Sequence, residues 1–271
     1  MGKRFIFWLA MVTPFLISTK EEEIHPLVKH DSFQKGEYIK YKLSYGIFTV
    51  GRGKAEISKQ DYMMNNRYCY KVDAFGNTSG MVSWVTDVDD HWGAYIDTAS
   101  ILPHMSYRII REGRYKLDEY TTFDHEKRIV SVKALDKKTG KFKEPKQYET
   151  GYHTRDMLAG FLYMRTLDFS ALKPGDTVMI KGFFEDTFYK QPIVYHGKDV
   201  VKVKFGKVRA LKFKPVMPDN KLFDGENSIT AWFSDDKNRI PLKIDAAMFI
   251  GSAGVELTDY GNLKHPLNLV K

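Results

Sequence analysis

The residues able to do chemistry in this 271-residue chain are scattered rather than arrayed. A metal centre built within one strand or helix needs histidines or cysteines at short fixed spacings, so that both reach one ion. The eight histidines (His25, His30, His91, His104, His125, His153, His196 and His265) form no His-x-His and no His-Glu-x-x-His. No metal is expected. No cofactor is expected either, because Gly51-x-Gly53 is too short for a nucleotide fingerprint and no phosphate loop occurs. The Gly-x-Ser-x-Gly elbow of common serine hydrolases is absent. The single cysteine, Cys69, lies in the alternating run Arg67–Val72 and reads as a buried strand residue. A nucleophilic role would need a base beside it, and the sequence places none there.

Three polar clusters remain. His153, Arg155 and Asp156 flank a loop-to-helix junction, where a carboxylate caps backbone amides; acid–base work is the lesser reading. Asp87, Asp89 and Asp90 form an acidic corner that suits glycosidic chemistry only if two carboxylates share a cleft. Asp235, Asp236 and Asn238, beside Arg239, read as turn residues; a hard cation is the sharper alternative, but a calcium loop's glycine and distal glutamate are missing. No catalytic set is assigned. Aromatics make up 14% of the residues. Tyr41, Tyr45, Phe48, Trp84 and Trp92 are candidates for an aromatic wall, with core packing the competing role.

The elements that must position these groups are mostly strands. Tyr38–Tyr45 alternates apolar and polar residues, and period two marks a sheet with one wet face. Phe48–Ile57 follows, its glycines indicating a bend or bulge. Further strands are expected at 67–74, 81–88, 91–96, 103–110, 114–123 and 128–134, with a break at 75–80. Asp136–Gln147 reads as a mobile lysine-rich loop. Beyond the helix come strands at 177–184, 188–196, 200–205, 208–214, 228–233, 241–248 and 255–260, with a turn at Gly197-Lys198-Asp199 and a loose tail from Asn262. Met157, Leu158, Phe161, Leu162 and Met164 break the period and predict one principal helix over 154–167, capped by Thr154. The fold class is all-β, mainly antiparallel, either barrel-like or two packed β subdomains (33–150 and 168–260) meeting at that helix.

Lys3, Arg4 and the apolar run Phe5–Ile17 read as a signal peptide over 1–18, followed by a flexible leader at 19–32 and a tail at 261–271. No later stretch is apolar for long enough to span a bilayer, so no transmembrane segment is expected after signal removal. Net charge is +8, and removing Lys3 and Arg4 leaves +6. Export makes nucleic acid a poor partner; anionic lipid or sugar polymer fits a mildly basic exported surface better.

Phe33-x-x-Gly36-Glu37-x-x-x-Tyr41-x-x-Ser44-Tyr45-Gly46 with Gly51-x-Gly53 resembles the opening of domain of unknown function 3108. Asp156-Met157-Leu158-Ala159 with Tyr163-x-Arg165 is similar to its middle, and Ile229 to Pro241, running on to Ile250-Gly251-Ser252 and Glu256-Leu257, to its close. The resemblance spans about residues 33–260 and is nearest to Bacteroidetes members. It implies export in a Gram-negative cell and a β-rich fold, and supplies no catalytic residues.

The leading expectation is a non-enzymatic protein of the periplasm or the periplasmic face of the envelope that binds or carries a lipid-like ligand. The alternatives are an interaction protein with a periplasmic protein partner and an enzyme acting on envelope polysaccharide. A deep apolar cavity, an exposed apolar patch, or a cleft with converging carboxylates would favour the first, second or third.

Overall fold

The structure, a computed structural model, describes residues 23–80, 87–217, 225 and 228–270. The signal peptide, residues 19–22 of the leader, most of the strand expected over 81–88, and with it Trp84, lie outside the described residues. The strands of the first half are β1 (Tyr38–Tyr45), β2 (Phe48–Ile57), β3 (Tyr62–Met64), β4 (Arg67–Thr78), β5 (Asp89–Asp97), β6 (Pro103–Glu112), β7 (Tyr115–Asp124), β8 (Ile129–Asp136), β9 (Lys141–Phe142) and β10 (Lys146–Glu149). One helix, α1 (Met157–Thr166), precedes β11 (Thr177–Phe184), β12 (Thr187–Val203), β13 (Gly206–Pro215), β14 (Ile229–Ser234), β15 (Pro241–Ala247) and β16 (Ser252–Gly261).

Neighbouring strands run antiparallel in one ladder, β10-β8-β7-β6-β5-β4-β2-β1-β16-β15-β14-β13-β12-β11, with β3 on β4 and β9 on β8. The first and last strands of the chain therefore meet in its middle, where β1 pairs β16 from Tyr38↔Gly261 to Tyr45↔Ala253. The two ends of the ladder approach each other through side chains. Tyr148 packs on Phe183 at 5.2 Å between ring centres, Lys146 bonds Asp186 at 3.0 Å, and Arg108 reaches Glu185 at 3.3 Å. Phe123, Val130, Val132 and Phe183 bury the seam. The sheet is thus curled and barrel-like, as its pattern of short alternating strands implies.

Alternation sorts the residues into two faces. Ile39, Tyr41, Gly53, Ala55, Val72, Ala94, Phe213, Ala231, Ile244 and Val255 face inward, and Lys40, Lys42, Arg52 and Lys54 face outward. The barrel has two rims. At one end lie the tips between β1 and β2, β11 and β12, and β15 and β16. At the other lie the turns between β5 and β6, β12 and β13, and β14 and β15.

Five local expectations are corrected. The loop expected over Asp136–Gln147 holds β9 and the start of β10: lysine-rich sequence here marks a guarded sheet edge rather than mobile chain. Phe75–Thr78 is no break, because β4 keeps a partner on each side, β2 through Thr78 and β5 through Asn77. Gly197-Lys198-Asp199 does not reverse the chain. The register jumps from Tyr195↔Phe213 to Lys198↔Leu211, so a bulge absorbs the glycine and β12 continues. The tail is not loose: Arg209 N–H donates to Asn268 C=O at 3.0 Å, and Asn238 exchanges two hydrogen bonds with the His265 backbone. The leader is similarly held over 23–32, with Val28 N–H on Ala99 C=O at 2.8 Å.

Candidate functional site

The interior of the curled sheet is organised by α1. Asp156, not Thr154, caps it: Asp156 Oδ1 accepts from Ala159 N–H at 3.0 Å, while Thr154 Oγ1 is committed to Gly151 C=O. Burial raises the Asp156 carboxyl to about 6, against the amides of Ala159 and Leu158 that favour its charge. Arg155 reaches the site as part of the wall, its backbone pairing in parallel with Gly182 of β11. Its guanidinium donates to the Ile101 and His153 carbonyls and lies 3.6 Å from the centre of the Tyr163 ring. Burial lowers it to about 10, which leaves it charged at neutral pH. Ile101 holds φ +54°, strained for a β-branched residue, and its carbonyl receives this donor.

The opposite end of α1 is anchored by a second buried arginine. Arg165 donates Nη1 and Nη2 to the two oxygens of Glu37 at 2.6 and 3.0 Å, Nε to Asn238 C=O at 2.9 Å and Nη2 to Ser32 C=O at 3.0 Å. Arg165 and Glu37 are almost fully buried, so the bidentate geometry is what makes the pair tolerable. Leader, first strand, helix and the turn at Asn238 are tied at one point.

One side of the helix packs into the core through Ala159 and Leu162. The other side packs only towards its C-terminal end, where Met164 joins Ile180 and Phe213. Met157 and Phe161 are 41% and 40% exposed and, with Gly160, line a cavity of about 640 Å³. Its remaining wall is the inner face of β11 to β15, with Ile180, Phe213 and Ile244 prominent. Of its polar members, Gln191 Nε2 donates to Val216 C=O at 2.8 Å and Asp156 caps the helix, while Tyr189 brings a hydroxyl to the wall. A second cavity of about 230 Å³ lies on the β1, β2, β4 and β16 side, sharing Phe161 and Ile244, with Glu37 and Arg165 in its wall. Apolar walls on this scale match small-molecule sites of about 300–1,000 Å³.

The expected aromatic wall is divided. Tyr41 lines the smaller cavity and donates its hydroxyl to Pro241 C=O at 3.0 Å. Trp92 stacks on Phe184 in a small polar cleft with Arg108 and Glu119. Tyr45 and Phe48 lie at a hairpin tip, away from both cavities. Asp235, Asp236 and Asn238 are spent on the turn. Asp236 accepts from the amides of Asn238, Arg239 and Asn268, and Asp235 pairs with Lys198 at 2.9 Å. His153 bonds Glu23 C=O at 2.7 Å and sits at φ +59°, beside Arg155 and Asp156 as its spacing implies. Burial pushes the Cys69 thiol up to about 11.

Two groupings were not legible from spacing. His25, His104 and His125 gather with ring centres 5.6–6.3 Å apart, next to Asp97 and Arg67. Burial lowers His125 to about 4, and burial lowers His25 as well. Among the described residues no set of histidine, cysteine and carboxylate side chains converges on a metal position. On the outer face, Tyr107 and His91 both bond Asp73 Oδ1, at 2.6 and 2.8 Å. The cavity-facing helix residues carried one overlooked signal: a helix apolar on every side must bury two faces or line a space.

Among curated proteins, none matches the sequence. A β-barrel-like protein of domain of unknown function DUF1849 from Brucella abortus is similar in fold, with a TM-score of 0.54 at 11% identity, covering 85% of this chain and 99% of that one. A protein assigned to export, with a YmcC-like fold, from Bacteroides fragilis aligns at a TM-score of 0.33 and 10% identity, over 85% and 98% of the two chains. Among the described residues no helix is long and apolar enough to cross a membrane. The family model for proteins of unknown function DUF3108 matches residues 40–258, so the chain belongs to that family.

Proposed function

We propose that this protein is an exported, periplasmic component of a Gram-negative, Bacteroidetes-type envelope that binds and carries an apolar or amphipathic ligand inside its curled sheet. The observation that carries this reading is the face of α1 left unpacked: Met157 and Phe161 stand 41% and 40% exposed over a 640 Å³ apolar cavity. A helix anchored by buried charge at Arg165 would bury those residues if packing were its only purpose. An acyl chain or comparable apolar body removes them from water, at about 25 cal/mol per Å² of apolar surface. With Gln191 and Asp156 already bonded, the Tyr189 hydroxyl is left to meet a polar group of the ligand, and specificity is otherwise one of shape.

The test is native mass spectrometry of protein recovered from its own periplasm, before and after solvent extraction. A near-stoichiometric apolar mass that leaves on unfolding is the expected result. Gly160→Leu, which fills the cavity from a helical position with only Ile180 nearby, removes that mass while preserving the fold. A clean apo mass, together with no uptake of a pyrene-labelled acyl chain, overturns the reading.

A further inference from the structure

Tyr45-Gly46-Ile47-Phe48 closes the β1–β2 hairpin, and Phe249-Ile250-Gly251 closes β15–β16. Tight turns ordinarily carry Asp, Asn, Ser and Gly, whose side chains satisfy the turn and meet water. These tips do the opposite: Ile47 is 93% exposed, Ile250 80%, Phe48 67% and Phe249 61%. No charged residue occurs anywhere in Leu43–Gly51 or Ala246–Val255.

The two tips form one body. Gly46 N–H donates to Ser252 C=O at 2.8 Å, and the Tyr45 hydroxyl donates to Ile250 C=O. Gly46 and Gly251 adopt φ +55° and +76°, and a Cβ on Gly251 would meet the Tyr45 ring at 3.0 Å. The double tip is thus held in shape without any core beneath it.

Directly behind the tips, on the outer face, runs a groove of about 570 Å³ that begins at Thr49. Five cations line it: Lys40 pairs with Asp259 at 2.8 Å, Lys42 with Glu256 at 3.3 Å and Lys54 with Glu56 at 2.6 Å, while Arg52 and Lys204 make no ion pair among the described residues. Lys42 and Arg52 are cross-strand partners. Lys42 stands three residues below Tyr45, so at the rise of a strand the Lys42–Arg52 pair lies about 10 Å behind the tip, with Lys40 and Lys54 two residues further back. Apolar groups that lie in a bilayer interface sink about 5–10 Å, which brings the Lys42–Arg52 pair level with the phosphates.

We propose that the paired tips form a foot that inserts into the surface of an anionic lipid bilayer, with the basic groove engaging its headgroups. The large cavity reaches the same rim, since Met217 and Ile229 in its wall lie at strand ends there. The foot stands on the hairpins and the groove, independently of what the cavity holds.

The test is flotation of the periplasmic protein with vesicles of phosphatidylcholine containing one-third phosphatidylglycerol. Binding is expected, falling steeply with salt, and roughly tenfold or more weaker for the double variant Ile47→Asp, Ile250→Asp. Arg52→Glu is expected to weaken binding several-fold, by removing one attraction and adding one repulsion at the headgroup plane. All three positions are exposed, so thermal unfolding of the variants stays at the parental midpoint. Ile47→Cys carrying a polarity-sensitive dye shifts to the blue on vesicles, the native thiol Cys69 being buried. Equal flotation of parent and double variant, equal binding to pure phosphatidylcholine, or no vesicle binding at all would overturn the proposal; so would capture by an acidic protein in place of the vesicles. Because flotation is read without ligand uptake, failure here leaves the carrier reading standing, and the reverse.

Discussion

The two rims of the barrel are built on opposite principles. At the rim holding Asp97, Asp124 and Asp236, three turns are organised by a carboxylate accepting backbone amides: Ala99 and Ser100 on Asp97, Lys127 on Asp124, Asn238 and Arg239 on Asp236. The leader and the C-terminal tail pack there as well, through His265 on Asp31 C=O and Asn238. At the other rim, the β1–β2 and β15–β16 tips are apolar and exposed, and the large cavity reaches the strand ends. One end spends its polar groups on its own backbone and closes. The other leaves apolar surface unsatisfied, and unsatisfied surface is what a partner or ligand can use. Stability should therefore be concentrated at the first rim and function at the second.

The largest effect is expected at the closed end. Arg165→Met leaves Glu37 buried without its partner and removes four hydrogen bonds that join leader, helix and the Asn238 turn. Breaking a buried pair in this way costs about 3–5 kcal/mol. Urea unfolding should show the loss as a lower midpoint with an unchanged slope. A cost below about 1 kcal/mol would mean that the closed rim is not where the fold is held.

Much of this contrast was readable in advance, for reasons that differ by residue. Tyr38–Tyr45 alternates, so its strand and its inward Tyr41 follow from period two. The Asp235–Arg239 turn follows from residue types that serve turns, and Asp156 at a helix start follows from capping chemistry. What escaped depends on distance in space. Arg165 looks like any helical arginine until Glu37, 128 positions away, is placed beside it. His25, His104 and His125 share no spacing. Gly197 has the composition of a turn, and only the partner register shows that β12 runs through it. Ile47 and Ile250 stand in uncharged turn sequences, and Tyr45 and Phe48, read as part of an aromatic wall, belong to the β1–β2 tip.

A second measure of the closed rim is its acid sensitivity. Burial alone would raise the Asp97 carboxyl, but His104 at 3.6 Å and hydrogen bonds from Arg67 and the Ser100 and Ala99 amides hold it well below its ordinary 3.8. A depressed carboxylate stabilises the fold above the unfolded value and loses that contribution as pH falls below it. Asp97→Asn is expected to cost about 2–3 kcal/mol at neutral pH, the scale of hydrogen bonds to a charged group. The difference from the parent should shrink steadily as the pH is taken below about 4. Equilibrium unfolding at a series of acid pH values reads both.

Asp156, beside the cavity, has the opposite sign. Its folded carboxyl titrates near 6 and its unfolded one near 3.8, so between those values the folded state holds the proton more tightly. Stability then falls as pH rises through that window, and the charged cap above pH 6 is a cost rather than a gain. Asp156→Asn keeps a side-chain oxygen able to cap Ala159 and removes the charge. It should stabilise the protein by about 2 kcal/mol above pH 6 and flatten the slope between pH 4 and 6. Opposite pH slopes for Asp97→Asn and Asp156→Asn would locate the two behaviours at two places in one barrel.

The smallest stability effect is expected where the functional effect is largest. Phe161 and Leu162 are consecutive on α1, yet Leu162 is 5% exposed and Phe161 40%. Truncating a core leucine leaves a void whose lining loses its contacts; truncating a side chain that already faces a void only enlarges it. Phe161→Ala should cost about 1 kcal/mol in urea unfolding, against about 2–5 kcal/mol for Leu162→Ala. Because Phe161 is shared by the 640 Å³ and 230 Å³ cavities, its loss merges them and removes the largest apolar surface the helix presents to a ligand. Uptake of a pyrene-labelled acyl chain should therefore drop for Phe161→Ala while the fold persists. The reverse pattern, a large stability loss with uptake intact, would make Phe161 part of the core and move the binding surface elsewhere on the open rim.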